Sequence, residues 1–180
     1  MDLSKYILKT ERDPVSWSFY KRQESCDWSA EEFRFIQDKE DYKTVSKNVK
    51  DVLKKILAFF LIGDGIIAED LLPMITEAVE QGNWPKAFYL CMQLKVENTH
   101  AETYSKAALT IVPEEEHESM LDMCKDVPCI VKKGEWIGTN IDSQKSIGLK
   151  NVCCACGEGI GFVSLFSIVF YLRKLNKFKD

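Results

Sequence analysis

Glu97, His100 and Tyr104 share the stretch Val96-Glu97-Asn98-Thr99-His100-Ala101-Glu102-Thr103-Tyr104-Ser105. On an α-helix, this spacing puts a carboxylate, an imidazole and a phenol on one face. A Glu-x-x-His pair on a helix is the half-site with which four-helix bundles hold a di-iron or di-manganese cluster. A tyrosine one turn beyond the histidine lies within reach of such a cluster, so the trio points to metal and oxygen chemistry directed at a phenol. Taken alone, Glu-x-x-His also fits a solvated helix face with a polar histidine beside a core tyrosine. The neighbours favour the metal. Ala87, Phe88, Leu90, Cys91, Leu94 and Val96 precede the motif, and Ala107, Ala108 and Ile111 follow it. A helix apolar around much of its circumference is a buried one, and a buried glutamate needs a partner or a metal.

Two further carboxylates have apolar helical settings. Asp64 lies within Leu61-Ile62-Gly63-Asp64-Gly65-Ile66-Ile67, and Glu158 stands among Gly157, Gly159 and Gly161. Each has a bland explanation, Asp64 as a cap between glycines and Glu158 as part of a glycine kink. Together with Glu97 they would repel, since two like charges about 4 Å apart cost roughly 4 kcal/mol at an effective dielectric of about 20. A pair of divalent ions removes that cost and takes the same oxygens as hard ligands. The glycines beside Glu158 leave room for a carboxylate to change its coordination.

The elements that must position these residues are helices. Residues 1–27 read as a polar, irregular arm broken by Pro14, and residues 28–180 as one helical domain. Ser29-Ala30-Glu31-Glu32 is a capping-box pattern expected to open a short helix to about Lys39. Val45, Val49, Val52, Leu53, Ile56, Phe59 and Phe60 keep a helical period, which predicts a long helix over roughly 44–72. Pro73 and Gly82-Asn83-Trp84-Pro85 punctuate the next segment, and Pro85 fits either the start of the Glu97 helix or a kink in it. That helix runs to about Ile111, before Pro113. Shorter helices fit 114–125 and 128–138, and a final one fits 144–175. No convincing period-two segment appears, so the fold class is all-α.

The composition of this 180-residue chain, 46% hydrophobic and 29% charged, suits a single soluble domain with a real core. A net charge of −4 offers neither a basic face for direct nucleic-acid binding nor a polybasic membrane anchor. The first residues lack an apolar signal core, and the uncharged run from Gly159 to Leu172 is too short to span a bilayer. Seven cysteines without a secretory context imply reduced thiols and a cytoplasmic protein, with no membrane partner. The cluster Cys153, Cys154 and Cys156, with Cys124 and Cys129, invites a zinc reading. Adjacent helical cysteines point about 100° apart, which favours small apolar packing residues instead.

Four stretches resemble the small, radical-generating subunit of class I ribonucleotide reductase. They are Trp17-Ser18-Phe19-Tyr20-Lys21 with Trp28-Ser29-Ala30-Glu31-Glu32; Leu57-Ala58-Phe59-Phe60-Leu61-Ile62-Gly63-Asp64-Gly65-Ile66; Glu97 through Ser105; and Glu158-Gly159-Ile160-Gly161-Phe162 through Phe166 to Lys174. They occur in family order across almost the whole chain. The resemblance implies a ferritin-like helical bundle, a homodimer, and a large-subunit partner that reduces ribonucleotides to deoxyribonucleotides for DNA replication. It implies two iron ions, with manganese or a mixed pair as alternatives, and it makes Asp64, Glu97, His100 and Glu158 metal ligands. By the same resemblance, Tyr104 carries the radical, Phe162 and Phe166 line its dry pocket, and Trp17 lies on the electron route to the large subunit.

The chain departs from the family pattern in several places. Family members draw two more ligands from a second Glu-x-x-His on a later helix, so the bundle is expected to be incomplete relative to the family. His117 sits in the acidic turn Glu114-Glu115-Glu116-His117-Glu118 and does not replace that pair. Gly161 stands where the family has a bulky aromatic, and Thr99-His100-Ala101 replaces Ile-His-Ser. The alternative to an enzyme subunit is a non-catalytic ferritin-like relative that acts as a binding or regulatory module.

Overall fold

The computed structural model describes residues 6–123, 125, 127–141 and 146–180, and among them the ordered elements are helices. They are α1 (Pro14–Glu24), α2 (Ile36–Thr44), α3 (Lys47–Glu80), α4 (Trp84–Ile111), α5 (His117–Asp122), α6 (Pro128–Ile141), α7 (Ile147–Cys156) and α8 (Val163–Lys174). A wide π turn, Gly157–Phe162, joins α7 to α8 without a break in the helix.

The central pair is α3 and α4, joined by three residues and therefore antiparallel. Ser46 starts α3, its hydroxyl accepting from the Val49 amide at 3.4 Å. Asn83 starts α4, its side-chain oxygen accepting from the Lys86 amide at 3.3 Å. Pro85 comes next in the first turn, where its missing N–H costs nothing. Gly82 makes the reversal at φ 65°, a left-handed backbone that suits glycine. The core runs along this pair and includes Leu53, Ile56, Phe60, Ile67, Leu71 and Leu90.

Of the 1–27 segment expected to be an irregular arm, the described residues 6–27 include a helix. Asp13 caps α1 by accepting from the Ser16 amide at 3.0 Å and the Ser16 hydroxyl at 2.8 Å. Pro14 then serves as the first helical residue, a starter and not a breaker. The helix lies against α4, with Trp17 on Phe88 and Phe19 on Tyr89. The capping box at Ser29 forms, but only a single 3-10 turn, Ala30–Glu32, comes after it. Phe33 is extended and Phe35 adopts φ 57°, so the helix restarts at Ile36.

Pro73 does not end α3, which continues to Glu80. The proline is solvent-exposed, where water can satisfy the carbonyl left without its helical donor. Gly148–Lys174 is long and apolar enough to cross a membrane on length and composition alone. Glu158 stands in its middle, and Phe162 and Leu172 are buried in the protein core. Of the cysteines weighed for zinc, Cys153 is buried and Cys156 half-buried, both as free thiols. Cys124 and the side chains of Cys129 and Cys154 lie outside the described residues.

Gly63 shows how closely α3 meets the π turn. A Cβ at this position would stand 2.6 Å from the Phe162 ring tip. That ring is held by Phe59 at 5.2 Å and Phe60 at 5.6 Å between centroids, and it is 3% exposed. Gly63→Ala should therefore lower stability by about 1–2 kcal/mol. Overpacking costs about 1–3 kcal/mol, while alanine returns up to about 1 kcal/mol of helix propensity. Thermal melts of the two proteins read this directly, and an unchanged or raised Tm would show that the ring moves aside freely.

Candidate metal centre

Asp64 comes from the middle of α3, and Glu97 and His100 from the facing turn of α4. One ligand atom from each can be chosen so that all three lie within 4.8 Å of one another. The His100 Nδ1 is 3.2 Å from Glu97 Oε2 and 3.9 Å from Asp64 Oδ2. Asp64 is 2% exposed and Glu97 4%. Glu158 stands outside this tight trio, on the π turn. Its charge still acts on Asp64, His100 and Tyr104, and Glu97 acts on it in return.

At this site, Asp64 Oδ2 and Glu158 Oε1 are fully buried and have no hydrogen-bond partner within the protein. Unsatisfied buried carboxylate oxygens are costly, and a hard divalent cation is the partner their chemistry suits. Burial, and then the Glu97 charge, push the Asp64 carboxyl up to about 7. Burial followed by Glu97 does the same to Glu158, also to about 7. Burial disfavours the His100 cation, but the hydrogen bond to Glu97 and the surrounding carboxylates outweigh it and raise the pKa. The donor set, three carboxylates and one imidazole, fits iron or manganese.

Tyr104 lies one turn beyond His100. Because α3 runs antiparallel to α4, one turn back from Asp64 on α3 is Phe60, and it is Phe60 that meets the phenol. The two rings stack at 4.8 Å between centroids and 24° between planes. Phe166 stacks on Phe60 at 4.7 Å, and Phe162 at 5.6 Å. Phe162 and Phe166 thus surround Phe60 instead of touching Tyr104 ring to ring. The phenol pKa is raised, first by burial and then by Asp64, Glu158 and Glu97. An apolar cavity of about 310 Å³ opens beside this group, lined in part by Trp28, Phe60, His100, Tyr104 and Phe166.

Trp17 is not brought to the cluster. It packs on Tyr20 and Phe88. Phe88 precedes His100 by twelve residues, about 18 Å along the α4 axis. The tryptophan in ring contact with His100 is Trp28, at 5.7 Å. His117 stays outside as well, its Nε2 2.9 Å from the Val112 carbonyl oxygen at the end of α4.

Comparison with known proteins settles the lineage. Residues 6–180 match the family described as "Ribonucleotide reductase, small chain". The chain belongs to the ribonucleotide reductase small-chain family. It is 33% identical to the ribonucleoside-diphosphate reductase small chain of Plasmodium falciparum, over 98% of this chain and 53% of that protein. Small chains of this family therefore extend to about twice the length matched here. In fold, the chain resembles the ribonucleotide reductase R2 subunit from Clostridium botulinum with a TM-score of 0.79. Identity there is 20%, over 96% of this chain and 56% of the other. It also resembles an R2-like ligand-binding oxidase variant with a Mn/Fe cofactor, with a TM-score of 0.62 and 16% identity. That match covers 76% of this chain and 52% of the other. The all-α, ferritin-like fold is thus shared with both of these structures.

Proposed function

We propose that the chain is a radical-generating small subunit of ribonucleotide reductase, in which a di-metal centre and oxygen oxidise Tyr104. The observation that carries this reading is the pair of buried oxygens without hydrogen-bond partners on Asp64 and Glu158, the first within the trio it forms with Glu97 and His100, beside the half-buried Tyr104 phenol. A purely structural module gains nothing from these carboxylates, which destabilise it whenever they ionise.

Asp64, Glu97, His100 and Glu158 would hold the metal, which is iron, manganese or one of each. When bound, it supplies the oxidising equivalents taken from molecular oxygen. The protein does the rest. The Tyr104 phenol is protonated at neutral pH, and burial and three nearby carboxylates disfavour its phenolate further, so loss of its electron is coupled to loss of its proton. Phe60 covers one face of the ring, and Phe162 and Phe166 keep water from Phe60. A dry pocket lengthens the life of a phenoxyl radical. Trp28, rather than Trp17, contacts His100 and is the aromatic group placed to pass an electron toward the centre from the protein surface. The large subunit, where ribonucleotides are reduced, is the partner this reading requires, and the small subunit acts as a homodimer in the cytoplasm.

The test is anaerobic loading with ferrous ion and then oxygen, read by electron paramagnetic resonance. A phenoxyl signal is expected from the unaltered protein and none from Tyr104→Phe. A signal that persists in Tyr104→Phe, or none from a fully loaded unaltered protein, would refute the assignment. Trp17→Phe should leave the signal unchanged.

A further inference from the structure

Residues 25–33 form a strap that crosses α4 with only one 3-10 turn of its own. Two lysines of α4 bind this strap on either side of His100. The Lys95 ammonium pairs with the Asp27 carboxylate and donates to the Trp28 carbonyl at 3.4 Å. The Lys106 ammonium donates to the Ala30 carbonyl at 2.9 Å. Ala30 is buried at 1% exposure, and its carbonyl already accepts from the Phe33 amide at 3.3 Å. Between the anchors, the Trp28 ring lies on His100 at 5.7 Å and meets Phe33 edge-on at 5.6 Å.

We propose that Lys95 and Lys106 are positioning residues that hold the Trp28 ring against the His100 imidazole. Its importance for electron entry rests on the metal-centre reading above, but the contact itself does not. The reasoning is geometric. The strap has no long hydrogen-bonded element to fix it, so its register along α4 depends on side-chain anchors. Lys95 and Lys106 are eleven residues apart, three helical turns, and therefore lie on one face of α4. Their ammonium groups take hold of carbonyls two residues apart, at Trp28 and Ala30, so the ring between them cannot slide along α4. The Lys95–Asp27 pair is half-exposed, so salt weakens this anchor.

The chain has two histidines, His100 and His117, so selective histidine labelling gives a two-residue NMR spectrum of the full chain. Without metal, the Trp28 ring current should displace the His100 ring protons, and Trp28→Leu should remove that displacement. The double variant Lys95→Met with Lys106→Met should move the His100 signals toward their Trp28→Leu positions and leave His117 in place. The matching arginine pair, which keeps charge and donors, should restore them. Should the methionine variant fold poorly, raising salt on the unaltered protein provides the second reading and should shift His100 the same way. His100 signals that stay put in the methionine variant, or at high salt, would overturn the proposal. A Trp28→Leu spectrum identical to that of the unaltered protein would also overturn it. Adding Mn(II) to the same sample tests the metal reading separately, through selective broadening of His100.

Discussion

Replacing Glu97 by alanine is expected to weaken divalent-metal binding by at least about 100-fold. Groups that only orient a ligand already contribute about 10–100-fold to affinity, and Glu97 stands in the ligand trio itself. It also holds His100 through the 3.2 Å contact to Nδ1. Its loss therefore removes one ligand and frees another. Calorimetric titration of both proteins with Mn(II) measures the difference. Glu102→Ala, an exposed carboxylate on the same helix, is the control and should bind like the unaltered protein. Equal affinities for all three proteins would place the metal elsewhere.

The second large effect is a stability that runs opposite ways with and without metal. In the metal-free protein, burial raises the Asp64 carboxyl from 3.8 to about 7. Below pH ~4 the carboxyl is protonated whether the chain is folded or not. Between pH ~4 and ~7 the unfolded chain releases this proton while the folded one keeps it, so stability falls as pH rises. At about 1.4 kcal/mol per unit, the loss from this one group is on the order of 4 kcal/mol. A typical domain has only about 5–15 kcal/mol in total. Glu158, raised to about 7 by burial and Glu97, adds in the same direction. Asp64→Asn should therefore match the unaltered chain near pH 4 and melt several degrees higher at pH 8 when a chelator is present. With saturating Mn(II) the order should reverse, because binding stabilises only the protein that can bind. Melts at the two pH values check both arms. A variant that is no more stable than the unaltered chain at pH 8 without metal would mean that Asp64 is not held at a cost.

Much of this is legible in the sequence because helices repeat simply. The shared face of Glu97, His100 and Tyr104 comes from spacing alone, and the apolar surroundings of Asp64 and Glu158 mark them as buried charges. The role of Phe60 is not evident from its own helix, although the signal is present. It lies one turn before Asp64, Tyr104 lies one turn after His100, and antiparallel helices bring those turns together. The family resemblance assigns the electron route to Trp17, and a segment that reads as an irregular arm offers no packing to test that assignment. Once Asp13 and Pro14 start a helix that packs near Phe88, Trp17 is carried to the far end of α4. The strap after Ser29 misleads for a related reason. A capping box signals a helix start, but it does not say how far the helix extends, and the left-handed Phe35 separates that single turn from α2. The π turn at Glu158 needs tertiary context. Glycines at 157, 159 and 161 weaken the α-helix, but the Phe162 ring packed over Gly63 is a contact that no local pattern encodes.

The most direct test of the metal centre is a Mn(II) titration monitored by electron paramagnetic resonance, in which free ion gives a sharp six-line signal. The unaltered protein should suppress that signal until its site is filled. The double variant Asp64→Asn with Glu97→Gln, which preserves side-chain size and removes two ligand charges, should leave the signal at full strength from the first addition. Suppression of the signal by the double variant, to the same extent as by the unaltered protein, would contradict a metal site built from Asp64, Glu97, His100 and Glu158.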